Sequence, residues 1–418
     1  MPNSRALLPT LLLLTAPLQA PAQDWPQFRG PNSDATVPFD NLPRTWSNTE
    51  HIAWHITLPG KGWSSPVLSG GRLYLTTAVA EGPDQDASTA RSLRALCLDP
   101  ATGKILWDTE VFAESAQTAA IHPKNSHASP TPIVAEGRLY VHFAHEGTAC
   151  LDLNGKKIWE QRSLKYPPQH GGGASPVLTG GNLIFPCDGS DGPFLTALKA
   201  SDGSIAWRTP RDTKAPKKFS FCTPAVIPWE GKTQIISPFS DAVAAYDPAD
   251  GRELWRIRYT GYSVIAQPAF GNGLIYFTTS YDAPVTYAVR PGGSGDVTDT
   301  HVAWTQAKNS PNTPTPILRG TELYQVADNG IATCLDAKTG EIHWKERTGR
   351  TTSASPLLVG DTLYILDEYG TTTLLQASPS FKKLGENKLE GERTLATPTP
   401  APGALFLRTE TGLYRIKA

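Results

Sequence analysis

The chain has 418 residues, 38 Lys plus Arg against 39 Asp plus Glu, a net charge of −1, 36 Gly, 37 Pro and a single Met. That near-neutral balance excludes the electrostatic footprint of a nucleic-acid binder and a polybasic membrane patch. The length exceeds an ordinary single core, and turn-rich usage without a long stretch at helical apolar spacing calls for a repeat array or a large closed β fold.

In chain order, residues 1–22 read as an export leader. Arg5 and the free amine make a weakly basic start. Ala6 to Leu18 is a short apolar stretch interrupted by Pro9 and Pro17, and Ala20-Pro21-Ala22 supplies a small-x-small cleavage pattern before Gln23. The stretch is too short to span a bilayer, no later run reaches about eighteen unbroken apolar residues, and no Cys near the cleavage site offers a lipid anchor. An exported protein, periplasmic or secreted, is expected. Residues 23–50 then form an N-terminal extension and 51–418 one repeat domain.

The repeat is announced by a proline, preceded mostly by Ser or Thr, at Pro66, Pro132, Pro176, Pro224, Pro268, Pro316, Pro356 and Pro400. After most of them come a tight turn, an apolar strand (GGRLYLTT, EGRLYVHF, GTELYQV), a third strand, and a DPATG-type turn leading into a strand that carries Trp. Four short antiparallel strands in units of roughly 40 to 50 residues specify propeller blades. The expected fold is therefore all-β, an eight-bladed propeller. A proline cannot donate to a ladder, so its recurrence marks the innermost, channel-facing edge strand.

Trp54, Trp107, Trp159, Trp207, Trp255, Trp304 and Trp344 fall on the outermost strands, where each can cover the seam to a neighbouring blade. Burying about 150 to 250 Å² at about 25 cal/mol per Å², one such residue contributes at most about 4 to 6 kcal/mol. The seventh unit has Phe381 and Leu384 but no Trp there, so its seam is expected to be weaker or differently packed. The last unit, Thr397 through Arg415, has only three strands, and HIAWHITL around Trp54 supplies the fourth, closing the ring without an exposed edge.

Cys97, Cys150 and Cys334 stand where other units carry Ala, nine or ten residues before the blade Trp. They read as packing residues. An odd total of five argues against a disulfide framework, leaving Cys187 and Cys222, in adjacent blades, as the one conceivable pair.

Loops longer than their repeat equivalents mark where function tends to sit. Residues 80–92, 113–126 and 209–218 emerge on one face over the first four blades, and residues 291–301 on the opposite face. His127 (after Asn125) and His170 lie just upstream of inner strands, at the channel mouth. No spaced His or carboxylate motif completes a metal site with them, so loop hydrogen bonding is the expected role. Trp63, Phe221 and Tyr262 either line a site for a sugar, peptide or quinone or, as is expected, plug a narrow channel. Asp188, Asp241, Asp282, Asp328 and Asp367 recur near the turn between second and third strands, either as a cation-binding ring or, as is expected, bonding their own turns. Lys214, Lys217 and Lys218 form a basic loop that is a solvated surface or a dock for an acidic partner.

The A-x-D-x-x-T-G-x-x-x-W pattern with its preceding S-P-V strand resembles the quinoprotein (PQQ-type) propeller repeat over nearly all of the mature chain. DWPQFRGP, Asp24 to Pro31, resembles the start of a group of exported bacterial propellers. The resemblance implies one of two activities. Quinone-dependent dehydrogenases of this fold hold pyrroloquinoline quinone beneath two adjacent cysteines, with calcium on an acidic residue and an Asn. This chain has no adjacent cysteines and no C-x-x-C-H haem signal, so its residues do not support that cofactor. The outer-membrane barrel-assembly lipoproteins are similar in blade number but carry a lipid-bearing cysteine that is missing here. A binding or assembly scaffold is the expected function, with a quinone-dependent oxidoreductase as the alternative.

Overall fold

The computed structural model describes residues 24–84, 89–116, 121–279, 281–391 and 393–418. The leader expected at 1–22 lies outside these residues, as do parts of the 80–92 and 113–126 loops. Eight sheets follow one another around a ring, six of four strands and two of five. Blade 1 runs from its innermost strand Val67–Ser69 through Arg72–Ala80 and Arg91–Leu98 to the outermost Ile105–Glu114. Each later blade repeats that antiparallel order. Ile52–Thr57 is the outermost strand of blade 8, antiparallel to Gly412–Lys417, so the two ends of the chain share one sheet.

The Ser or Thr before each inner proline has a role that its recurrence alone does not disclose. Ser65 N donates to Thr131 Oγ1 (3.0 Å), Thr131 N to Ser175 Oγ (2.9 Å) and Ser175 N to Thr223 Oγ1 (2.9 Å). On the far side, Gln267 N donates to Thr315 Oγ1, Thr315 N to Ser355 Oγ and Ser355 N to Thr397 Oγ1, each at 3.0 Å. A belt of hydroxyls thus ties blades 1 to 4, and blades 5 to 8, one to the next around the channel. These N–H groups lie on an edge strand with no strand partner on that side, and burial without a partner would cost about 1–3 kcal/mol each. Blade 5 carries Gln267 in place of the hydroxyl residue, and its Nε2 reaches Pro224 O at 2.9 Å instead. The belt also corrects the repeat register: the blade 8 proline is Pro398, after Thr397, and not Pro400. Both Thr397-Pro398 and Thr399-Pro400 fit the motif, and a two-residue offset keeps the same strand face.

The outer seams are docked by tryptophan. Nε1 of Trp54, Trp107, Trp159, Trp207, Trp304 and Trp344 donates to Pro100, Leu153, Ala200, Pro248, Ala337 and Ser378 O respectively, at 2.9–3.2 Å, always in the next blade. The turn glycine of that blade packs under the indole: a Cβ on Gly203 would meet the Trp159 ring at 2.5 Å. Cys97, Cys150 and Cys334 stand directly across the ladder from Trp107, Trp159 and Trp344, in the slot Ala197 and Ala245 fill against Trp207 and Trp255. All five cysteines are buried and free.

Trp255 is the exception, because the tight turn it would dock on is replaced by the 291–301 insertion. Its Nε1 donates within its own blade to Gln234 Oε1 (3.1 Å), while Gly295–Asp296 pairs in parallel with the outside of that strand. Blade 7, which lacks a Trp, borrows one. Trp46 from the N-terminal extension stacks at 6.5 Å on Tyr364, the position at which Tyr74, Tyr140, Tyr276 and Tyr324 meet their own blade's Trp. Its backbone N–H donates to Asn387 Oδ1, on the blade's outermost strand. The seam is packed differently.

The DWPQFRGP segment closes one mouth of the channel. Trp25 exchanges backbone hydrogen bonds with Leu68 in blade 1, Pro26 O accepts Val134 N from blade 2, and Thr36–Val37 pairs with Leu358 and Val359 in blade 7. Arg29, fully enclosed, donates to Thr315 O and Pro316 O of blade 6. Asp24 accepts from Ser69 Oγ and Gly70 N, which places this plug on the face of the tight turns. The opposite face carries the long loops other than the 291–301 insertion, which joins the third and fourth strands of blade 5 on the turn face.

Candidate functional site

On the loop-rich face, the segment before the inner strand of blade 2 reaches across the ring. Lys124 Nζ pairs with Glu368 Oε1 of blade 7 at 2.8 Å, and Arg393, in the lead-in to blade 8, donates to both Glu368 Oε2 (3.0 Å) and Pro123 O (2.9 Å). Burial pushes the Glu368 carboxyl up, but the hydrogen bonds from Lys124, Ser353 and Arg393 outweigh it and hold the group below its ordinary range. Residues 121–126 are thus a strap over the mouth. Asn125 braces its base: Oδ1 accepts from Ser126 N (2.8 Å) and Ser129 Oγ (2.5 Å), and Nδ2 donates to His170 O (2.9 Å).

Beside the strap runs a continuous strip of rings. His122 meets His170 (5.7 Å), His170 meets Phe219 (5.4 Å), and Phe219 meets both Phe221 and Tyr262 (5.9 Å each). Tyr262 continues to the exposed Tyr281 at 6.2 Å. Lys217 Nζ sits 4.4 Å over the Tyr262 ring and donates to its hydroxyl, which in turn donates to Asp282. The lead-ins to blades 2 through 5 converge here, because every blade sends its lead-in to the same face. Of the residues singled out from sequence, His170, Phe221 and Tyr262 are brought together; Trp63 is buried, with its N–H on Ser126 Oγ and Ala128 O. Phe219, the ring that joins the others, and Glu368, which anchors the strap, were not legible from any motif.

The acids are not free for a cation ring. Asp367 bonds its own turn at Tyr369 N and Thr371 N, but Asp328 accepts from Asn312 and Thr313, and Asp241 from Lys214 N. Asp188 is buried against Arg211 Nε (2.8 Å) and accepts from Ser220 Oγ, and burial pushes its carboxyl up to about 6. Four of the five therefore tie the second-to-third-strand turn to other loops rather than to itself, a correction to the sequence expectation.

A recess of about 360 Å³, its open mouth included, lies between the loops of blades 1, 2 and 3 and is lined by Glu114, His127, Phe143, His145 and Gly171 among others. His127 Nδ1 is 2.7 Å from Glu114 Oε2. Burial lowers the His145 imidazole below its ordinary range.

The residues at the mouth do not fit the quinone set that the repeat implies. The Glu368 carboxylate under the strap is already taken up by a Lys, an Arg and a Ser, and no two cysteines adjoin.

Fold and face together define an eight-bladed propeller of the quinoprotein-repeat type with one plugged and one loop-covered mouth. The chain belongs to the family whose model is described as outer membrane protein assembly factor BamB, matched over residues 46–222, 194–314 and 240–382. It is 21% identical to the outer membrane protein assembly factor BamB of Shewanella oneidensis over 69% of this chain and 72% of that protein. It is 26% identical to BamB of Yersinia pestis over 70% of this chain and 62% of that protein. Among solved structures, BamB from Moraxella catarrhalis superposes with a TM-score of 0.60 at 13% identity, covering 88% of this chain and 99% of that one. A europium-containing methanol dehydrogenase superposes at 0.67 with 10% identity, covering 94% and 90%. At such identities both likenesses speak for the fold alone.

Proposed function

We propose that the chain is a non-catalytic scaffold of the cell envelope, exported after cleavage near Ala22, that engages extended partner polypeptides on its loop-rich face. The observation that carries this reading is the ring strip from His170 through Phe219 to Tyr262, beside the basic 214–218 loop, on the mouth opposite the one that residues 24–37 close. Aromatic rings with polar tips present large contact area at small entropic cost, and a flanking basic loop favours acidic segments. Membership of a family described as an outer membrane assembly factor supports partners that are themselves envelope proteins. In this role Phe221 and Tyr262 make the contact, Asn125 and His170 hold the strap against the strip, and His127 and Trp63 buttress the loops beneath.

The alternative, a quinone-dependent oxidoreductase, rests on repeat type and finds no matching ligand set at the mouth among the described residues. Fluorescence anisotropy with a labelled, unfolded β-barrel fragment of alternating aromatic residues tests the proposal. Phe221→Ala/Tyr262→Ala should weaken binding at least about tenfold. Unchanged affinity, or quinone- and calcium-dependent dye reduction by the wild type, would overturn it.

A further inference from the structure

The recess between blades 1, 2 and 3 holds a set of donors that the peptide-binding reading does not use. Glu114 closes the outermost strand of blade 1, while His145 and Glu146 sit on a single 3-10 turn, Ala144–Glu146, between the second and third strands of blade 2. One ligand atom from each of the three lies within 4.8 Å of the others. Glu114 is buried, and His145 Nδ1 is enclosed without a hydrogen-bond partner among the described residues. His127 Nδ1 faces Glu114 Oε2 at 2.7 Å, and Arg162 Nη2 faces Glu146 Oε2 at 3.0 Å. The turn is pressed into place: Ala144 has φ +48, and a Cβ on Gly172 would fall 2.1 Å from the Ala144 Cβ.

An ion network is the plainer account of these charges, and it covers His127 with Glu114, Arg162 with Glu146 and, at 3.5 Å, His145 Nε2 with Glu146 Oε1. It leaves the enclosed His145 Nδ1 and the approach of Glu114 to the same imidazole and Glu146 unexplained. We propose that Glu114, His145 and Glu146 form a binding site for one divalent transition ion of the zinc class, with His127 positioning Glu114. Mixed imidazole and carboxylate donors suit zinc, whereas calcium takes six to eight oxygens and magnesium an octahedron of them. Two carboxylates balance the ion's charge once Arg162 releases Glu146. At Zn–ligand distances of about 2.1 Å, tetrahedral geometry asks for about 3.4 Å between donors, a contraction that a side-chain rotation on the 144–146 turn supplies. The open side of the recess leaves a position for water or a partner side chain. Ligation would lock this turn against Gly171 and Gly172 and, through the Ile121 to His170 bridge, the base of the strap.

Chelator-stripped full-length protein is titrated with Zn²⁺ by calorimetry and with Co²⁺ by visible absorbance, before and after addition of excess Ca²⁺. One equivalent of Zn²⁺, cobalt d–d bands of a four-coordinate site and no displacement by Ca²⁺ are expected. Glu146→Gln, at a partly exposed position, and His145→Ala should each weaken binding about 100-fold or more. His127→Ala should weaken it about 10- to 100-fold, as loss of a positioning partner does. Circular dichroism confirms the folded state of each variant, and Glu146→Gln serves if His145→Ala does not fold. No stoichiometric uptake by the wild type, displacement by Ca²⁺, or uptake unchanged in folded Glu146→Gln would overturn the proposal.

Discussion

At the seams, a single glycine separates docking energy from backbone strain. Gly203 and Gly180 both hold positive φ, +74 and +56, but a Cβ would strike the Trp159 indole at 2.5 Å in the first and meet nothing within 4 Å in the second. Gly180→Ala should therefore cost about 1 kcal/mol of conformational strain. Gly203→Ala should cost a further 1–3 kcal/mol through displaced tryptophan packing. Urea denaturation of the two variants reads the difference, and equal losses would mean the indole adds nothing at that seam. The buried pair of Asp188 and Arg211 makes a second case. Asp188→Asn removes one charge and leaves the guanidinium, fully enclosed over the Phe239 ring, without its counter-ion. A loss of about 3–5 kcal/mol is expected, and a variant as stable as the wild type would contradict it. In most blades the tryptophan, its glycine and the alanine or cysteine across from it were legible in the sequence because they recur at fixed spacing. Trp46 was not: it precedes the repeats by sequence and reaches Tyr364 only through the fold.

The strap is an element whose stability depends on pH. Glu368 titrates below its ordinary range when folded, so its contribution is complete above the ordinary carboxylate value of about 4.3. It is lost as pH falls through the depressed value. Hydrogen exchange of amides 121–126, corrected for intrinsic rates, should rise as pH drops below about 4 and should already be raised at pH 7 in Glu368→Gln. Exchange independent of pH in the wild type would show that Lys124 and Arg393 do not hold the strap. The sequence disclosed that this loop was long. It did not disclose the anchor, because Lys124 and Glu368 belong to blades separated by most of the chain, and neither stands in a motif. The meeting of Glu114 with His145 was hidden for a related reason: they stand in neighbouring blades and in no motif, and come together only when blade 2 docks on blade 1.

For the whole molecule, closure and plugging are separate contributions from one terminus. Ile52–Thr57 completes blade 8, whereas the 24–37 segment bridges blades 1, 2, 6 and 7 from the turn face. Deleting residues 51–58 should abolish cooperative melting of the entire ring. Deleting residues 24–37 should lower the melting temperature but keep one transition, because the eight sheets and six of the tryptophan docks remain. A truncation at 51–58 that melts as the wild type does would rule out the closure. The fold was readable because its repeats restate it eight times; the working face was not, because each blade contributes only one or two residues to it.

On the proposed function, partners dock on the loop-rich face while the turn face is occupied by the chain itself. Hydrogen exchange of the protein with and without a saturating unfolded β-barrel fragment tests it most directly. Protection is predicted at 121–126, 170–173, 219–221 and 262–264, with no change at the turns 69–72, 179–182 and 319–322. Protection confined to those turns, or none on the loop-rich face at saturation, would contradict the account.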